Sequence, residues 1–177
     1  VFAMLKMKAF LKENGPWNQL VELENISLKE LKSDSTFHLN NNIKITPFLV
    51  PHRDEFSETV GYDILINNKS LLFIPDIDKW EKWDRNIMKL IPKTDYAFLD
   101  ATFYENGELK RDMSEIPHPF VKESMNLFSN LSEKDKQKIH FIHFNHTNPL
   151  LINGSNAQKE VSEKGFNLAR EGQIIEF

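Results

Sequence analysis

Three of the six histidines of the chain lie in one short stretch, IHFIHFNHTNP, which covers residues 139–149. Its β-branched and aromatic residues predict a strand over 139–144, and successive side chains of a strand point to opposite faces. His140 and His143 are therefore expected to face opposite sides, whereas His146 falls in the polar loop that follows. We expect no site formed by all three. At most one strand histidine and one loop histidine can converge at the end of this strand.

Four other groups that could bind a metal or transfer a proton stand at the predicted end of a strand or start of a helix. They are His52, Asp76, Asp100 and His118. Rigid strands hold such loop positions in place, and α/β proteins commonly carry function there. Neutral imidazoles and carboxylates are ligands for Zn, Mn or Fe(II), and a chain without cysteine offers no competing thiolate. Together with His143, these positions indicate one shared metal site.

Each of these positions also has a structural interpretation that involves no ligand. The polar loop after His52 is compatible with a solvated turn. Either Asp76 or Asp78 can cap the following helix, although that role needs only one of them. His118, which stands between two prolines, can simply begin a helix. Asp100 follows the apolar run YAFL, where a carboxylate is costly to bury unless it is paired, hydrogen-bonded or bound to a metal.

The spacing of apolar residues, which predicts the strands and helices that position these side chains, changes along the chain. Runs rich in β-branched and aromatic residues predict strands at 36–40, 42–50, 60–66, 71–75 and 95–103. Apolar residues at helical spacing predict helices at 2–14, 80–91 and 118–128, with shorter capped helices at 27–32 and 155–165. Residues 165–177 are predicted to form a hairpin or paired strands. A β-rich first half followed by β–α alternation indicates a layered α/β fold.

Composition restricts the classes of function. At 177 residues the chain is most simply one domain over 1–177, able to bury about two-thirds of its unfolded surface. A net charge of −4 without a dense Lys/Arg patch argues against a nucleic-acid partner. The absence of cysteine excludes disulfides and Cys-ligated zinc. No apolar run approaches the roughly 20 residues that span a bilayer, so we expect a cytoplasmic enzyme with no membrane partner.

Five segments, in this order, resemble the metallo-β-lactamase-fold hydrolases, and in particular the branch related to coenzyme PQQ synthesis protein B. They are VPHRDEFSETVGYDI, LLFIPDIDKWEKW, DYAFLDATFYENGEL, IPHPF and FIHFNHTNPLL. A more distant resemblance connects them with the tRNA 3′-processing endonucleases. The resemblance implies a four-layered αβ/βα sandwich, in which two sheets pack face to face with helices outside. It also implies a site for two divalent metals, with zinc expected, at one edge of the sheets.

The same resemblance implies roles for individual residues. His52 corresponds to the mid-chain metal histidine, Asp76 to the aspartate that bridges two metals, and His143 to the late histidine of the second metal. His118 corresponds to the proton-donating histidine of the endonuclease branch, with Asp100 as the acidic partner that orients it. The expected function is a hydrolase in which metal-bound hydroxide attacks an ester, phosphoester or amide of a small-molecule substrate. The alternative is a non-catalytic carrier of a small metabolite on the same fold.

One feature of the resembled family is missing. The metal motif His-x-His-x-Asp-His occurs nowhere in the 177 residues, and the chain starts at Val1 within an amphipathic pattern. We therefore expect an N-terminally truncated chain, the C-terminal part of a longer protein, with an incomplete set of metal ligands. Its first sheet would lack strands, and the open sheet edge would favour pairing with a second copy as a homodimer.

Overall fold

The structure is a computed structural model that describes residues 1–175. Nine strands lie in this part of the chain: β1 (Phe2–Ala3), β2 (Lys29–Glu30), β3 (Phe37–His38), β4 (Ile43–Leu49), β5 (Val60–Ile66), β6 (Lys69–Ile74), β7 (Tyr96–Asp100), β8 (Ile139–Ile142) and β9 (Asn167–Leu168). Among the described residues, β3 to β9 form one seven-stranded mixed sheet, and their order across the sheet is their order in the chain. The predicted α/β class is confirmed.

The type of strand pairing changes once across this sheet. The neighbours from β3 to β6 pair antiparallel, and the neighbours from β6 to β9 pair parallel. Because two reversals separate β4 from β6, strand β4 runs in the same direction as β6, β7 and β8. The carboxyl ends of these four strands therefore meet at one edge of the sheet.

The hairpin of β5 and β6 follows directly from the sequence. Apolar residues alternate along β5, and Asn67 turns the chain with a φ of +54°, a left-handed conformation that asparagine tolerates better than most residues. Ile66 then pairs with Lys69 across the turn. Both strands and the turn between them were predicted, although β6 begins two residues before the predicted start at 71.

Six α-helices occur in the described residues: α1 (Leu5–Glu13), α2 (Trp17–Glu22), α3 (Ile87–Leu90), α4 (Val121–Leu127), α5 (Glu133–Lys136) and α6 (Asn156–Glu163). Short 3₁₀ turns lie at Trp80–Lys82, Ile91–Lys93, Phe128–Asn130 and Pro149–Leu151. The continuous helix predicted over 80–91 is wrong, because residues 83–86 between the 3₁₀ turn and α3 are not helical. None of the helices within residues 1–175 combines the length and apolar character that a membrane crossing requires.

The main core lies between the large sheet and helices on one of its faces. Leu72, Ile74, Leu99 and Phe141 point to this face and are at most 5% exposed. Against them pack buried residues of the Trp80 turn and of α3, α4 and α6. The indole Nε1 of Trp80 donates to Ser124 Oγ at 2.9 Å, so the polar atom of this core side chain is also satisfied.

Two predicted elements near the chain ends are corrected. Residues 27–32 do not form the expected helix, because β2 pairs parallel with β1 as a separate two-stranded sheet. The backbone N–H groups of Lys29 and Leu31 donate to the carbonyls of Val1 and Ala3 at 2.8 Å. Residues 165–177 were predicted as a hairpin or paired strands, and their described part contains one short strand, β9, which pairs parallel with β8. Residues 176 and 177 lie outside the described part of the chain.

Candidate metal centre

The candidate site lies where four parallel-running strands end. His52 follows β4 by three residues, Asp76 follows β6 by two, Asp100 is the last residue of β7, and His143 is the first residue after β8. Because these strands share a direction, their ends share an edge of the sheet, and groups far apart in sequence come together there. The fifth group, His118, enters from the loop before α4.

Asp76 and His52 face each other with unsatisfied polar atoms. The Asp76 Oδ1 and His52 Nε2 atoms are 3.1 Å apart, yet their angles do not make a hydrogen bond, and Asp76 Oδ1 is buried without a donor. His52 Nδ1 is likewise buried without a partner among the described residues. A buried carboxylate oxygen without a donor is costly unless a cation binds it. A carboxylate and an imidazole in this relation fit a divalent metal ion.

The side chain of Asp78 forms its own local hydrogen bonds, which shows which of the two aspartates, Asp76 or Asp78, is left for the cluster. Its Oδ1 accepts from the backbone N–H of Lys79 at 2.6 Å, and its Oδ2 accepts from Lys82 Nζ at 2.9 Å. Burial raises the pKa of Asp78, but the bonds with Lys82 and Lys79 outweigh it and hold the pKa below its ordinary value. Asp78 therefore takes the local structural role at the Trp80 turn, and Asp76 is left for the cluster.

Asp100 is fully buried and accepts hydrogen bonds on both oxygens. Oδ1 accepts from the Thr102 backbone N–H at 2.8 Å and from Thr102 Oγ1 at 2.7 Å. Oδ2 accepts from the Ile77 N–H at 3.1 Å and from His118 Nδ1 at 2.8 Å. Burial raises the pKa of Asp100, but the bond with His118, the attraction of His143 and the Thr102 bond lower it to about 2. With about four lone-pair sites and four donors, Asp100 orients its neighbours and has little capacity left for a metal.

His118 is held by this carboxylate. Its Nδ1 lies 2.8 Å from Asp100 Oδ2 and 3.5 Å from Asp76 Oδ1. An ionised carboxylate can only accept a hydrogen bond, so at this distance the neutral ring must carry its proton on Nδ1. The backbone N–H of His118 donates to Ile116 O at 2.9 Å, which places the residue in a turn, and α4 begins only at Val121. The expected helix start at His118 is thus three residues too early.

His143 has a backbone conformation that the strand pattern did not indicate. Strand β8 ends at Ile142, and His143 has a φ of +64°, uncommon for a residue other than glycine. The predicted strand over 139–144 is therefore too long, and the alternation argument does not apply to His143. Its Nδ1 lies 2.9 Å from Thr102 Oγ1 and 3.7 Å from Asp100 Oδ1, the latter beyond hydrogen-bonding distance. The Asp100 carboxylate raises the pKa of His143, and burial opposes it.

The other two histidines of the stretch lie outside the cluster. The His140 ring stacks on Phe98 with centroids 5.0 Å apart, and burial lowers its pKa. His146 is exposed in a turn. The expectation that three histidines do not form one site agrees with this placement.

The structure thus brings all five predicted site residues together. Ligand atoms of Asp76, Asp100, His118 and His143 lie within 4.8 Å of one another. His52 lies beside this group, with its Nε2 atom 3.1 Å from Asp76 Oδ1. Sequence reasoning missed Thr102, which bonds to three of these side chains. Its only sequence signal is its position two residues after Asp100 at a strand end.

A family model described as "Beta-lactamase superfamily domain" matches residues 1–144, a range that includes all five residues. The chain belongs to the beta-lactamase superfamily. The coenzyme PQQ synthesis protein B of Acinetobacter baumannii (strain ACICU) is 24% identical over 178 residues, covering 90% of this chain and 57% of that protein. The protein of that name from Pseudomonas putida (strain GB-1) is 24% identical over 193 residues, covering 99% of this chain and 60% of that protein. The predicted family and branch are confirmed, and the chain spans less than two thirds of these relatives.

Solved structures confirm the predicted fold. Zn(2+)-bound PqqB from Methylobacterium extorquens superposes with a TM-score of 0.79 at 21% identity, covering 99% of this chain and 61% of that one. A diphosphatase from the PhnP family gives a TM-score of 0.62 at 20% identity, covering 99% of this chain and 57% of that one. The mixed sheet with its helical face is therefore the metallo-β-lactamase fold.

Proposed function

We propose that the chain carries the proton-transfer pair and part of the metal site of a hydrolase acting on an ester, phosphoester or amide of a small molecule. The observation that supports this most is the Asp100–His118 pair at 2.8 Å beside the unsatisfied Oδ1 of Asp76. A partly buried imidazole that is oriented by a carboxylate beside a candidate cation site suits general acid catalysis of hydrolysis.

His52, Asp76 and His143 would hold the metal. Imidazole and carboxylate ligands without thiolates suit zinc, and a relative of this fold is described as Zn(2+)-bound. The resemblance to the family suggests two divalent ions. When bound, such a metal activates water and stabilises negative charge that develops on the substrate.

His118 would supply the proton for the leaving group. Asp100 keeps the proton of the neutral ring on Nδ1, so Nε2 is the atom that takes up and releases the catalytic proton. Because the pKa of Asp100 is held at about 2, the carboxylate remains ionised at neutral pH and accepts the Nδ1–H bond of His118. Loss of Asp100 would therefore disturb the orientation and the tautomer of this ring.

A small phosphate or carboxylate ester fits the composition better than a nucleic acid. A net charge of −4 leaves no excess of Lys and Arg to neutralise a polyanion. One relative of the same fold is described as a diphosphatase, which supports testing phosphodiesters first.

The test uses the natural protein that carries these 177 residues, freed of metal and reloaded with zinc or manganese. Hydrolysis of bis(p-nitrophenyl) phosphate and p-nitrophenyl acetate is measured with and without metal. We expect metal-dependent turnover that falls by at least about 100-fold in His118→Gln, as loss of a general acid predicts. His38→Gln, which changes an exposed histidine at the end of β3, should retain activity.

Two results would count against the proposal. Turnover that survives His118→Gln would remove the proton-transfer role. A metal-loaded protein that hydrolyses neither substrate class but binds small anions would instead favour a non-catalytic carrier on this fold.

A further inference from the structure

The Thr102 hydroxyl lies at the centre of the cluster. Its Oγ1 is 2.7 Å from Asp100 Oδ1, 2.9 Å from His143 Nδ1 and 3.2 Å from His118 Nδ1. The residue is 8% exposed. One hydroxyl therefore connects the carboxylate with both imidazoles.

The backbone around Thr102 is fixed from the neighbouring loop. The Asn148 amide Nδ2 donates to the carbonyls of Ala101 and Thr102 at 2.8 and 3.2 Å. The Asn145 backbone N–H also donates to the Thr102 carbonyl, at 2.9 Å. Asn148 is 1% exposed, so these bonds are shielded from water. The loop that follows His143 thus holds the loop that follows Asp100.

The protons around the hydroxyl can be counted. A threonine hydroxyl has one proton to donate and two lone pairs. The Asp100 carboxylate can only accept, and at 2.7 Å it forms the stronger, charge-assisted bond, so the hydroxyl proton goes to it. The contact between Thr102 Oγ1 and His143 Nδ1 then needs a proton from the ring. Nδ1 of His143 must be the protonated nitrogen of the neutral imidazole.

We propose that Thr102 is a positioning residue whose hydroxyl holds the ring proton of His143 on Nδ1 and leaves Nε2 with the lone pair that a divalent metal binds. This rests on the proposed metal role of His143. A metal-binding histidine needs such a partner, because the bond at one ring nitrogen sets which nitrogen is available to the metal. Asp100 Oδ1 lies 3.7 Å from His143 Nδ1, too far for a hydrogen bond, so the hydrogen-bonded connection between the two runs through this hydroxyl.

Thr94 offers a matched control for a purely structural threonine. It is also 8% exposed and stands just before the other end of β7. Its hydroxyl contacts the backbone carbonyls of Ser70 and Tyr96 at 3.0 and 2.8 Å. Valine at either position removes a buried hydroxyl of similar exposure, but only Thr102 contacts a histidine.

The experiment compares the natural protein with Thr102→Val, Thr102→Ser and Thr94→Val. Long-range ¹H–¹⁵N NMR of the metal-free proteins, at a pH where the ring is neutral, reports which nitrogen of His143 is protonated. Competition with a chelator gives the zinc affinity. We expect Nδ1–H in the natural protein and in Thr102→Ser, and a mixture of both tautomers in Thr102→Val. Zinc binding should weaken about 10- to 100-fold in Thr102→Val, and remain near the natural value in the other two variants.

An Nε2–H tautomer in the natural protein would overturn the proposal, even if Thr102→Val does not fold. Unchanged zinc affinity in a folded Thr102→Val would also overturn it, as would an equal loss in Thr94→Val. The tautomer is measured without metal or substrate. Absence of hydrolysis would therefore count against the proposed function and not against this assignment.

Discussion

Replacing Asp100 by asparagine should destabilise the protein more than its small change in shape suggests. Each carboxylate oxygen accepts two hydrogen bonds, whereas the amide nitrogen of asparagine accepts none. In one orientation the amide faces the Thr102 N–H, and in the other it faces the Ile77 N–H. The hydroxyl of Thr102 can rotate and the His118 ring can change tautomer, but a backbone N–H cannot. Either way, one buried backbone donor loses its acceptor.

The expected loss can be estimated from two independent quantities. An unsatisfied buried donor costs about 1–3 kcal/mol. The pKa of Asp100 lies at about 2 instead of 3.8, and at 1.36 kcal/mol for each pKa unit this corresponds to roughly 2 kcal/mol of stabilisation of the charged form. Both point to a loss of about 2–3 kcal/mol at neutral pH.

Urea unfolding of the metal-free protein, followed by circular dichroism, measures this loss as a shift in midpoint at constant slope. Asp84→Asn, at an exposed position, is the control and should change stability by less than about 0.5 kcal/mol. A loss in Asp100→Asn no larger than that of the control would refute the account of Asp100 as the fully bonded centre of the site.

The pH dependence has a definite sign. A carboxylate whose folded pKa is lowered stabilises the protein above its ordinary pKa and loses that contribution as the pH falls through the folded value. The Asp100 contribution to the difference between the natural protein and Asp100→Asn should therefore shrink between about pH 4 and pH 2. Nearer neutral pH the same difference should grow on acidification, because Asp100 also raises the pKa of His143. A difference that grows as the pH falls from about 4 to 2 would contradict the direction of the Asp100 pKa change.

Three further substitutions test other parts of the site. Asp76→Asn should leave the metal-free protein equally or more stable to urea, because Oδ1 lacks a donor, while weakening zinc binding at least about 10-fold in a chelator titration. Asn148→Ala should cost about 2–4 kcal/mol in urea unfolding, because its bonds to three backbone groups are lost in a buried place. Tyr104→Phe removes the 2.5 Å bond to Glu160 and should cost about 1 kcal/mol. Burial and Glu160 raise the pKa of Tyr104 above 10, so this stabilisation should be present below pH 10 and be lost above it, as tyrosinate absorbance and unfolding together would show.

The sequence was sufficient to predict that these side chains lie together, because each strand shows its end by a change from apolar to polar residues. His52, Asp76 and Asp100 were predicted from that change, and strand direction alone brings them to one edge. The left-handed backbone of His143 could not be predicted. It depends on the loop of residues 145–148, which is anchored to the carbonyls of Ala101 and Thr102.

The misassigned helices have the same kind of cause. The Trp80 and Trp83 spacing suits a helix, but the Trp83 indole donates to Leu49 O at 3.0 Å, and Arg85 pairs with Asp34 at 2.6 Å. Asn86 then caps α3 by accepting from the Met88 N–H at 2.9 Å. Two of these contacts join the segment to residues far away in the sequence, and the third marks where α3 begins. The spacing of apolar residues over 80–91 contains neither kind of information. Tertiary contacts overrode local propensity here.

The two carboxylates of the site differ in what surrounds them, and this difference separates binding from orientation. Asp100 is completely buried and every lone pair has a donor, so removing its charge should cost stability. Asp76 has a buried oxygen that accepts no hydrogen bond among the described residues, so losing its charge removes no such bond from the metal-free protein but removes an anionic ligand once a cation is bound. We therefore expect a clear loss of stability in Asp100→Asn and little or none in Asp76→Asn, whereas Asp76→Asn weakens zinc binding directly. A site assembled only for packing would give similar losses of stability at both positions.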